Sequence, residues 1–371
     1  MKETDTKKVG EILRKARERL NLTQEEIANK LNIGRDAILR IEKGIRKISA
    51  EELTKLASIY NMGLDEILGT NKDNISDSHR VKGIILAGGS GTRLYPITEG
   101  ISKQLVPVYD KPMIFYPLSV LMQAGIKDIL IITTEEDQIN FKRLLKDGTQ
   151  FGINITYTIQ PSPDGLAQAF ILGKEFIGDD SCAMILGDNI FFGNGLEEEL
   201  KQATINAANG QATIFGYQVK DPERFGIMEL DDNYNVLSVE EKPQHPKSDY
   251  AITGLYFYPA KVSEMAEEVK PSKRGELEIT TLNDMYLQKQ NLKARILGDG
   301  YTWFDTGTFD SLLDASNMIR SIEHNKDRLI CSPEIIALAN KWIDEEQFNE
   351  RAELLSKNAY GQSLKKVLKR N

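Results

Sequence analysis

The chain has 371 residues, a formal net charge of −8 and 40% hydrophobic residues. That is enough for two or three domains with buried cores, and it excludes a basic nucleic-acid coat spread over the whole molecule. Residues 1–50 carry 13 Lys/Arg against 8 Asp/Glu, whereas residues 76–371 carry 32 against 42, so a small basic head precedes a larger acidic body. The two cysteines, Cys182 and Cys331, are far apart with no metal-type spacing, which argues against a disulfide framework and fits a reducing compartment. No apolar run approaches the roughly 18 residues of a membrane span, and the first residues are charged rather than signal-like. The expectation is a soluble, cytoplasmic protein with no membrane partner.

Residues 1–70 read as a small all-α domain of five helices. Val9, Ile12, Leu13, Ala16 and Leu20 recur at helical spacing. Thr23-Gln24-Glu25-Glu26 is a capping box that opens a second helix with Ile27 and Leu31 on its apolar face. Asn32-Ile33-Gly34 makes a tight turn into a third helix, Arg35 to Glu42, which Lys43-Gly44 ends. Ser49-Ala50-Glu51-Glu52 is another capping box, and Leu64 to Leu68 closes the set. These residues resemble the Cro/CI-type helix-turn-helix family, whose third helix enters the major groove. The resemblance rests on Leu22 to Ala28, Ile33-Gly34-Arg35 and Ile38 to Gly44. It implies DNA as a partner, with Arg35, Asp36, Ala37, Leu39 and Arg40 facing the duplex and Gln24 touching a phosphate. The other reading of the same helices is a protein-interaction or dimerisation module.

Residues 71–80 are polar, without periodicity and rich in turn formers, so they read as a linker. The body, residues 81–371, opens with Val81-Lys82-Gly83-Ile84-Ile85-Leu86-Ala87. This apolar strand runs into Gly88-Gly89-Ser90-Gly91-Thr92-Arg93. Glycines let backbone N–H groups approach an anion, and the arginine adds a bidentate charge, so the loop suits a polyphosphate. It is neither a Walker loop, since no Gly-Lys-Ser/Thr follows, nor a dinucleotide fingerprint. Lys103 supplies a second cation ten residues on.

Further along, strands at Ile126–Thr134, Ile153–Gln160 and Cys182–Leu186 alternate with helices at Asp137–Lys146 and Leu166–Phe176. Alternation of this kind predicts an α/β fold whose mixed sheet is mainly parallel, with ligands at the carboxyl ends of its strands. Asp188, emerging from one such end in Gly187-Asp188-Asn189, is placed to bind Mg²⁺, which takes few protein ligands and bridges phosphates. The alternative for Asp188 is a turn or helix cap. Asp305, in Trp303-Phe304-Asp305-Thr306-Gly307-Thr308, is the natural second carboxylate. Residues from 311 to the end are helical by pattern.

The body resembles the glucose-1-phosphate thymidylyltransferases over nearly its full length. The resemblance is carried by the 88–93 loop, Ser102-Lys103-Gln104, Gln160 to Ala169, Gly187-Asp188-Asn189 and Asp221 to Gly226. It continues in Glu240-Glu241-Lys242-Pro243, Thr253-Gly254-Leu255-Tyr256, Arg274 to Thr280 and Trp303 to Thr308. It implies a Rossmann-like nucleotide-diphospho-sugar transferase fold, Mg²⁺ as cofactor, dTTP and glucose 1-phosphate as ligands, and a homo-oligomer, dimer or tetramer. Residue by residue, Arg93, Lys103 and the loop Gly88, Gly89, Ser90, Gly91 and Thr92 would hold the triphosphate. Gln160 and Gly165 would read the thymine edge and Gln104 the deoxyribose. Glu241, Tyr256, Gly226 and Thr253 would enclose the sugar. Lys242 and Arg274 would hold its phosphate, and Asp188 and Asp305 would carry the metal. Two readings stand beside this one. In the first, the body is a nucleotide or sugar-phosphate sensor serving a transcriptional regulator. In the second, the head only oligomerises the enzyme. Many relatives carry Glu-Glu-Ile-Ala-x-Arg near the C-terminus, where this chain has Glu334-Ile335-Ile336-Ala337-Leu338-Ala339.

Overall fold

The structure is a computed structural model that describes residues 3–369 apart from 21, 61, 63, 65, 66, 68–79 and 90. The head contains α1 (Glu3–Arg19), α2 (Gln24–Leu31), α3 (Arg35–Glu42) and α4 (Ala50–Ile59). Both predicted capping boxes form: the Thr23 and Ser49 hydroxyls accept from the amides of Glu26 and Glu52, whose carboxylates return to the cap amides. Satisfying these orphan donors fixes where α2 and α4 start. Leu13, Ile27, Ile38, Ile41 and Leu56 are buried together as the head's core. Gly10 lets α1 come close to α3, because a Cβ there would lie 2.5 Å from the Ile41 carbonyl oxygen. Of the predicted fifth helix, Leu64 and Ile67 are described and helical. The rest of it, and the linker apart from Arg80, lies outside the described residues.

The strands in chain order are β1 (Val81–Ala87), β2 (Pro107–Val108), β3 (Lys111–Pro112), β4 (Asp128–Thr133), β5 (Asn154–Ile159), β6 (Ser181–Leu186) and β7 (Ile190–Gly193). They continue with β8 (Ala212–Gln218), β9 (Gly226–Leu230), β10 (Val236–Glu241), β11 (Tyr250–Tyr258), β12 (Leu292–Leu297) and β13 (Tyr301–Phe304). The chain forms two compact units, one made of the head together with Thr213–Thr253 and Asn283–Tyr301, the other of the remainder.

In the second unit β1 lies between β4 and β6, parallel to both, and β4 is parallel to β5. The later residues of β11 run antiparallel to β6, with Leu255 opposite Ile185. This is the mixed, mainly parallel sheet expected from the alternating pattern. β1 is buried on both faces, and Gly83 makes room beneath it for Leu121 of the helix Phe115–Gln123. Parallel registry brings the ends of β1 and β6 side by side: Leu86 faces Leu186, and the Gly187 amide donates to the Leu86 carbonyl. The predicted helix over 166–176 is two short ones, Gln168–Leu172 and Lys174–Ile177, meeting at Gly173. A Cβ at Gly173 would sit 3.0 Å from Ile84 and 3.3 Å from Leu130, so the turn is set by close packing on the sheet. No local periodicity reports such a contact.

The C-terminal region is helical as expected, in Phe309–Lys326, Pro333–Ala339, Glu345–Leu354 and Ala359–Leu368. Leu312, Ala315 and Ile319 pack on Leu94, Val106, Met113 and Tyr116, anchoring the segment after the glycine loop. Each fully buried side chain of this size contributes about 1.5–3 kcal/mol.

In the first unit β9 and β10 form an antiparallel pair with Gly226 opposite Glu241. β9 also meets the first half of β11 through Ile227 and Ala251, and β8 pairs with β12. Among the described residues no helix is long and apolar enough to cross a membrane.

Candidate active site

The site is built where β1 and β6 end. β1 delivers Gly88 beneath the Gln160 side chain; a Cβ on Gly88 would lie 2.1 Å from Gln160 Oε1 and would displace that amide. Gly91 takes a left-handed conformation (φ 61°) and starts the single turn Thr92–Leu94. Leu94 is buried while Thr92 and Arg93 stay exposed, which aims the guanidinium outward from an anchored turn. Gly89 has open space on its Cβ side. Ser90 lies outside the described residues.

Lys103 is buried, and its Nζ lies 2.6 Å from Asp188 Oδ2 and 3.5 Å from the Asp305 carbonyl oxygen. Asp188 and Asp305, 117 positions apart in the chain, therefore flank one ammonium. The Thr306 hydroxyl donates to the Asp188 carbonyl at 2.5 Å, tying the two loops together. Gly307 closes the same corner: a Cβ there would sit 3.0 Å from Arg93 Nη1 and 3.1 Å from Asp305 Oδ2. Arg93, Lys103, Asp188 and Asp305 thus converge. Gln104 is buried and lies against Gly187, with the Ser102 hydroxyl donating to its Oε1 at 2.8 Å.

Gln160 directly follows β5 and donates through Nε2 to Gln168 Oε1 at 2.7 Å, while Gln168 Nε2 donates to Asp164 Oδ2 at 2.8 Å. Gly165 adopts φ 113°, and a Cβ would lie 2.4 Å from the Leu277 carbonyl oxygen. The 164–167 and 277 backbones clasp through Leu277 N to Asp164 O and Ala167 N to Leu277 O. Arg274, at the start of that second segment, donates to Glu278 at 2.9 Å and Glu276 at 3.3 Å. Tyr256 is buried on β11 with its ring parallel to that of Tyr258, 6.3 Å away.

The remaining expected residues belong to the first unit. Gly226 and Glu241 are register partners. Lys242 has φ 43°, its amide donates to the Phe225 carbonyl, and its half-exposed Nζ lies 3.8 Å from Glu241 Oε1. These three therefore share one corner of the β9–β10 pair. Thr253 is fully buried, and its hydroxyl has no hydrogen-bond partner among the described residues.

Asn189 has no assigned role in Gly187-Asp188-Asn189, and the structure gives it one. Its Oδ1 accepts from Trp303 Nε1 at 2.6 Å and from the Gly254 amide at 3.2 Å, and its Nδ2 donates to Asp188 Oδ1 at 2.9 Å. Gly254 has no room for a side chain, because a Cβ would lie 2.7 Å from that oxygen. The signal was present as Gly-Asp-Asn, Thr-Gly and Trp-Phe-Asp, but only the fold shows that the three motifs meet.

The nucleotidyl transferase family model matches residues 82–322. The chain belongs to the nucleotidyl transferase family. The nucleotidyl transferase body is 57% identical to a glucose-1-phosphate thymidylyltransferase of Neisseria meningitidis over 290 residues, 78% of this chain and 100% of that protein. It is 53% identical to the protein of the same name from Mycobacterium tuberculosis, again over 78% of this chain and 100% of that protein. Among solved structures, one described as a candidate glucose-1-phosphate thymidylyltransferase from Bacillus anthracis, in complex with a sucrose, matches with a TM-score of 0.60 and 42% identity. That match covers 65% of this chain and 95% of the other. A UDP-glucose pyrophosphorylase at 24% identity and a TM-score of 0.56 shares the fold.

A helix-turn-helix family model matches residues 13–67 of the head. There α3 shows Arg35, Asp36 and Arg40 exposed, with Ala37 and Leu39 half-buried. Gln24 donates its amide to Glu42 Oε2 at 2.9 Å, and Glu42 also receives Arg17 at 2.6 and 3.1 Å. The Glu42 carboxylate therefore pins the start of α2 to the end of α3.

Proposed function

We propose that the chain transfers a thymidylyl group from dTTP to α-D-glucose 1-phosphate, giving dTDP-glucose and pyrophosphate, the first step of dTDP-L-rhamnose synthesis. The observation that carries this reading is the convergence of Arg93, Lys103, Asp188 and Asp305 at the ends of β1 and β6, in a body so similar to enzymes of that name. A sensor would need no such set.

The residues fit Mg²⁺: the Asp188 carboxylate meets the buried Lys103 ammonium, the Asp305 carboxylate lies in the same corner and accepts from the Gly307 amide, and magnesium takes one or two carboxylates together with substrate phosphates. Asp188 and Asp305 would hold the ion, which would supply positive charge to neutralise the phosphates. Arg93 and Lys103, with the glycine-loop amides, hold the triphosphate. Gln160 and Gly165 meet the thymine edge, and Gln104 meets the deoxyribose. Lys242 and Arg274 hold the sugar phosphate, while Gly226, Glu241, Thr253 and Tyr256 enclose the hexose. An oxygen of glucose 1-phosphate attacks the α-phosphorus in line, and the bond from that phosphorus to the bridging oxygen breaks. Its electron pair leaves with pyrophosphate. No general base is needed, because the attacking monoester is already ionised near neutral pH. Catalysis is then positioning and charge neutralisation.

In this reading the head binds DNA through α3, and the body works as a homo-oligomer in the cytoplasm. Pyrophosphate release with Mg²⁺, glucose 1-phosphate and each nucleoside triphosphate in turn tests the chemistry. Release fastest with dTTP is the expected outcome. Release fastest with UTP would reassign the base, and no release from folded protein would move the body to the sensor reading.

A further inference from the structure

The first unit holds a cavity of about 600 Å³ that the transfer reaction does not use. Its volume is within the roughly 300–1,000 Å³ range of small-molecule sites. One wall is the end of α1, at Arg19 and Leu20; the others are β8 with the segment after it, the β9–β10 turn, the start of β11, and β12 with the turn after it. The α1 wall is held in place at two points. The Arg19 carbonyl packs on Gly298, where a Cβ would lie 2.0 Å from that oxygen, and the Tyr234 hydroxyl donates to the Leu20 carbonyl at 3.4 Å.

The lining is chemically mixed in a specific way. Tyr217, Tyr234 and Tyr250 each bring an aromatic face and a hydroxyl. Asp249 and Asp299 bring acceptors, and Arg19 and Lys220 bring cations. Aromatic faces suit the C–H side of a sugar ring, carboxylates accept from its hydroxyls, and the cations suit an attached phosphate. A purely apolar ligand would leave both acids and both cations desolvated, and two carboxylates among so many donors do not make a metal site. Burial raises the pKa of all three tyrosines, that of Tyr250 to about 12, so each hydroxyl keeps its proton near neutral pH.

We propose that this cavity is a second binding site, for a hexose carrying a phosphate or nucleoside-diphosphate group, with the DNA-binding head as one of its walls. The choice of probes rests on the proposed function; the site itself does not. A ligand that touches both walls holds α1 against β12, so its occupancy and the placement of the head are thermodynamically linked.

Hydrogen–deuterium exchange on the full chain tests this with three separate probes: glucose 1-phosphate, dTDP-glucose and, as a hexose-free control, dTTP. At ten times Kd a hexose probe suppresses opening about elevenfold in peptides covering the end of α1, residues 217–222 and residues 296–299. The two hexose probes show whether the nucleoside diphosphate is needed. The expected protection persists in Lys103→Ala and disappears in Lys220→Ala combined with Asp299→Asn, while that double variant still releases pyrophosphate within twofold of the parent. Protection confined to peptides around 88–104 and 160–168 would overturn the site while leaving the transferase reading intact. So would cavity protection that survives the double variant, or equal protection by dTTP. Loss of pyrophosphate release with every triphosphate in the parent chain would count against the transferase reading alone.

Discussion

Asn189 Nδ2 donates to Asp188 Oδ1 at 2.9 Å while its Oδ1 takes hydrogen bonds from the Trp303 indole and the Gly254 amide. One buried amide therefore fixes the direction of the expected metal-binding carboxylate and joins β6, β11 and β13. Asn189→Ala leaves two buried donors unpaired, and each costs about 1–3 kcal/mol. Asn189→Asp keeps both acceptor contacts but replaces the donor to Asp188 with a like charge. The alanine variant is expected to lower the denaturant midpoint, whereas the aspartate variant loses mainly kcat. Unfolding curves measured beside pyrophosphate release check this, and an Asn189→Asp enzyme with unchanged kcat would contradict the positioning role.

Lys103 is the cation between Asp188 and Asp305. Lys103→Met keeps most of the side-chain volume and removes the charge that the α-phosphate would meet. Losing one preorganised donor at a developing charge costs roughly 10²–10³ in kcat. Saturation kinetics in dTTP should show that fall with the far-ultraviolet circular dichroism unchanged. A variant affected only in KM would place Lys103 in ground-state binding instead.

The elements whose causes are local could be read from the chain. The capping boxes at Thr23 and Ser49 need only their own next three residues, and they start α2 and α4 as predicted. β1 was likewise legible, because an apolar run marks a strand buried on both faces. What could not be read depends on packing across the fold. The break at Gly173 arises from Ile84 and Leu130 pressing on the sheet side of that turn. The junction at Asn189 needs Trp303, 114 residues away. The cavity beside Gly298 exists only because α1 folds against that turn.

Gly165 is a stricter test of the nucleotide end of the site. At φ 113° with the Leu277 carbonyl 2.4 Å from a built Cβ, alanine is both strained and clashing. Strain of this type costs about 1–3 kcal/mol. Gly165→Ala is expected to loosen the 164–167 clasp and with it the Gln160–Gln168–Asp164 chain, raising KM for dTTP more than KM for glucose 1-phosphate. Steady-state kinetics with each substrate varied in turn measures the difference. Equal effects on both would show that the clasp serves the fold rather than base recognition.

The head should also carry a signature in acid. The Glu52 carboxylate accepts from Arg46 at 2.7 Å and from the Ser49 amide at 3.0 Å, and Arg46 first, then the cap amide, holds its pKa below the ordinary 4.5. A depressed carboxylate pKa adds stability that is present above the unfolded value and lost as pH falls through the folded one. The stabilisation by Glu52 is therefore full above about pH 4.5 and declines below it. Thermal melts of the full chain and of Glu52→Gln between pH 7 and 3 should converge as the pH drops. Parallel curves over that range would exclude the carboxylate as the source.

Arg35 and Arg40 stand exposed on α3, the helix expected to enter the major groove, while Gln24 is engaged with Glu42. If α3 meets DNA, each arginine that neutralises a phosphate releases a counterion, and log Kobs falls with log salt by about 0.9 per contact. Arg40→Ala should then weaken binding to an arbitrary duplex and flatten the salt slope by about one contact, without altering pyrophosphate release. Gln24→Ala should change DNA affinity less, and it should destabilise the α2–α3 junction by removing a charge-assisted hydrogen bond worth about 1.5–3 kcal/mol. Binding titrations from 50 to 200 mM salt decide between the readings of the head. A parent chain with no measurable affinity at the lowest salt would make α3 a surface for another protein, and the exposed arginines would then be sought in a complex with an acidic partner.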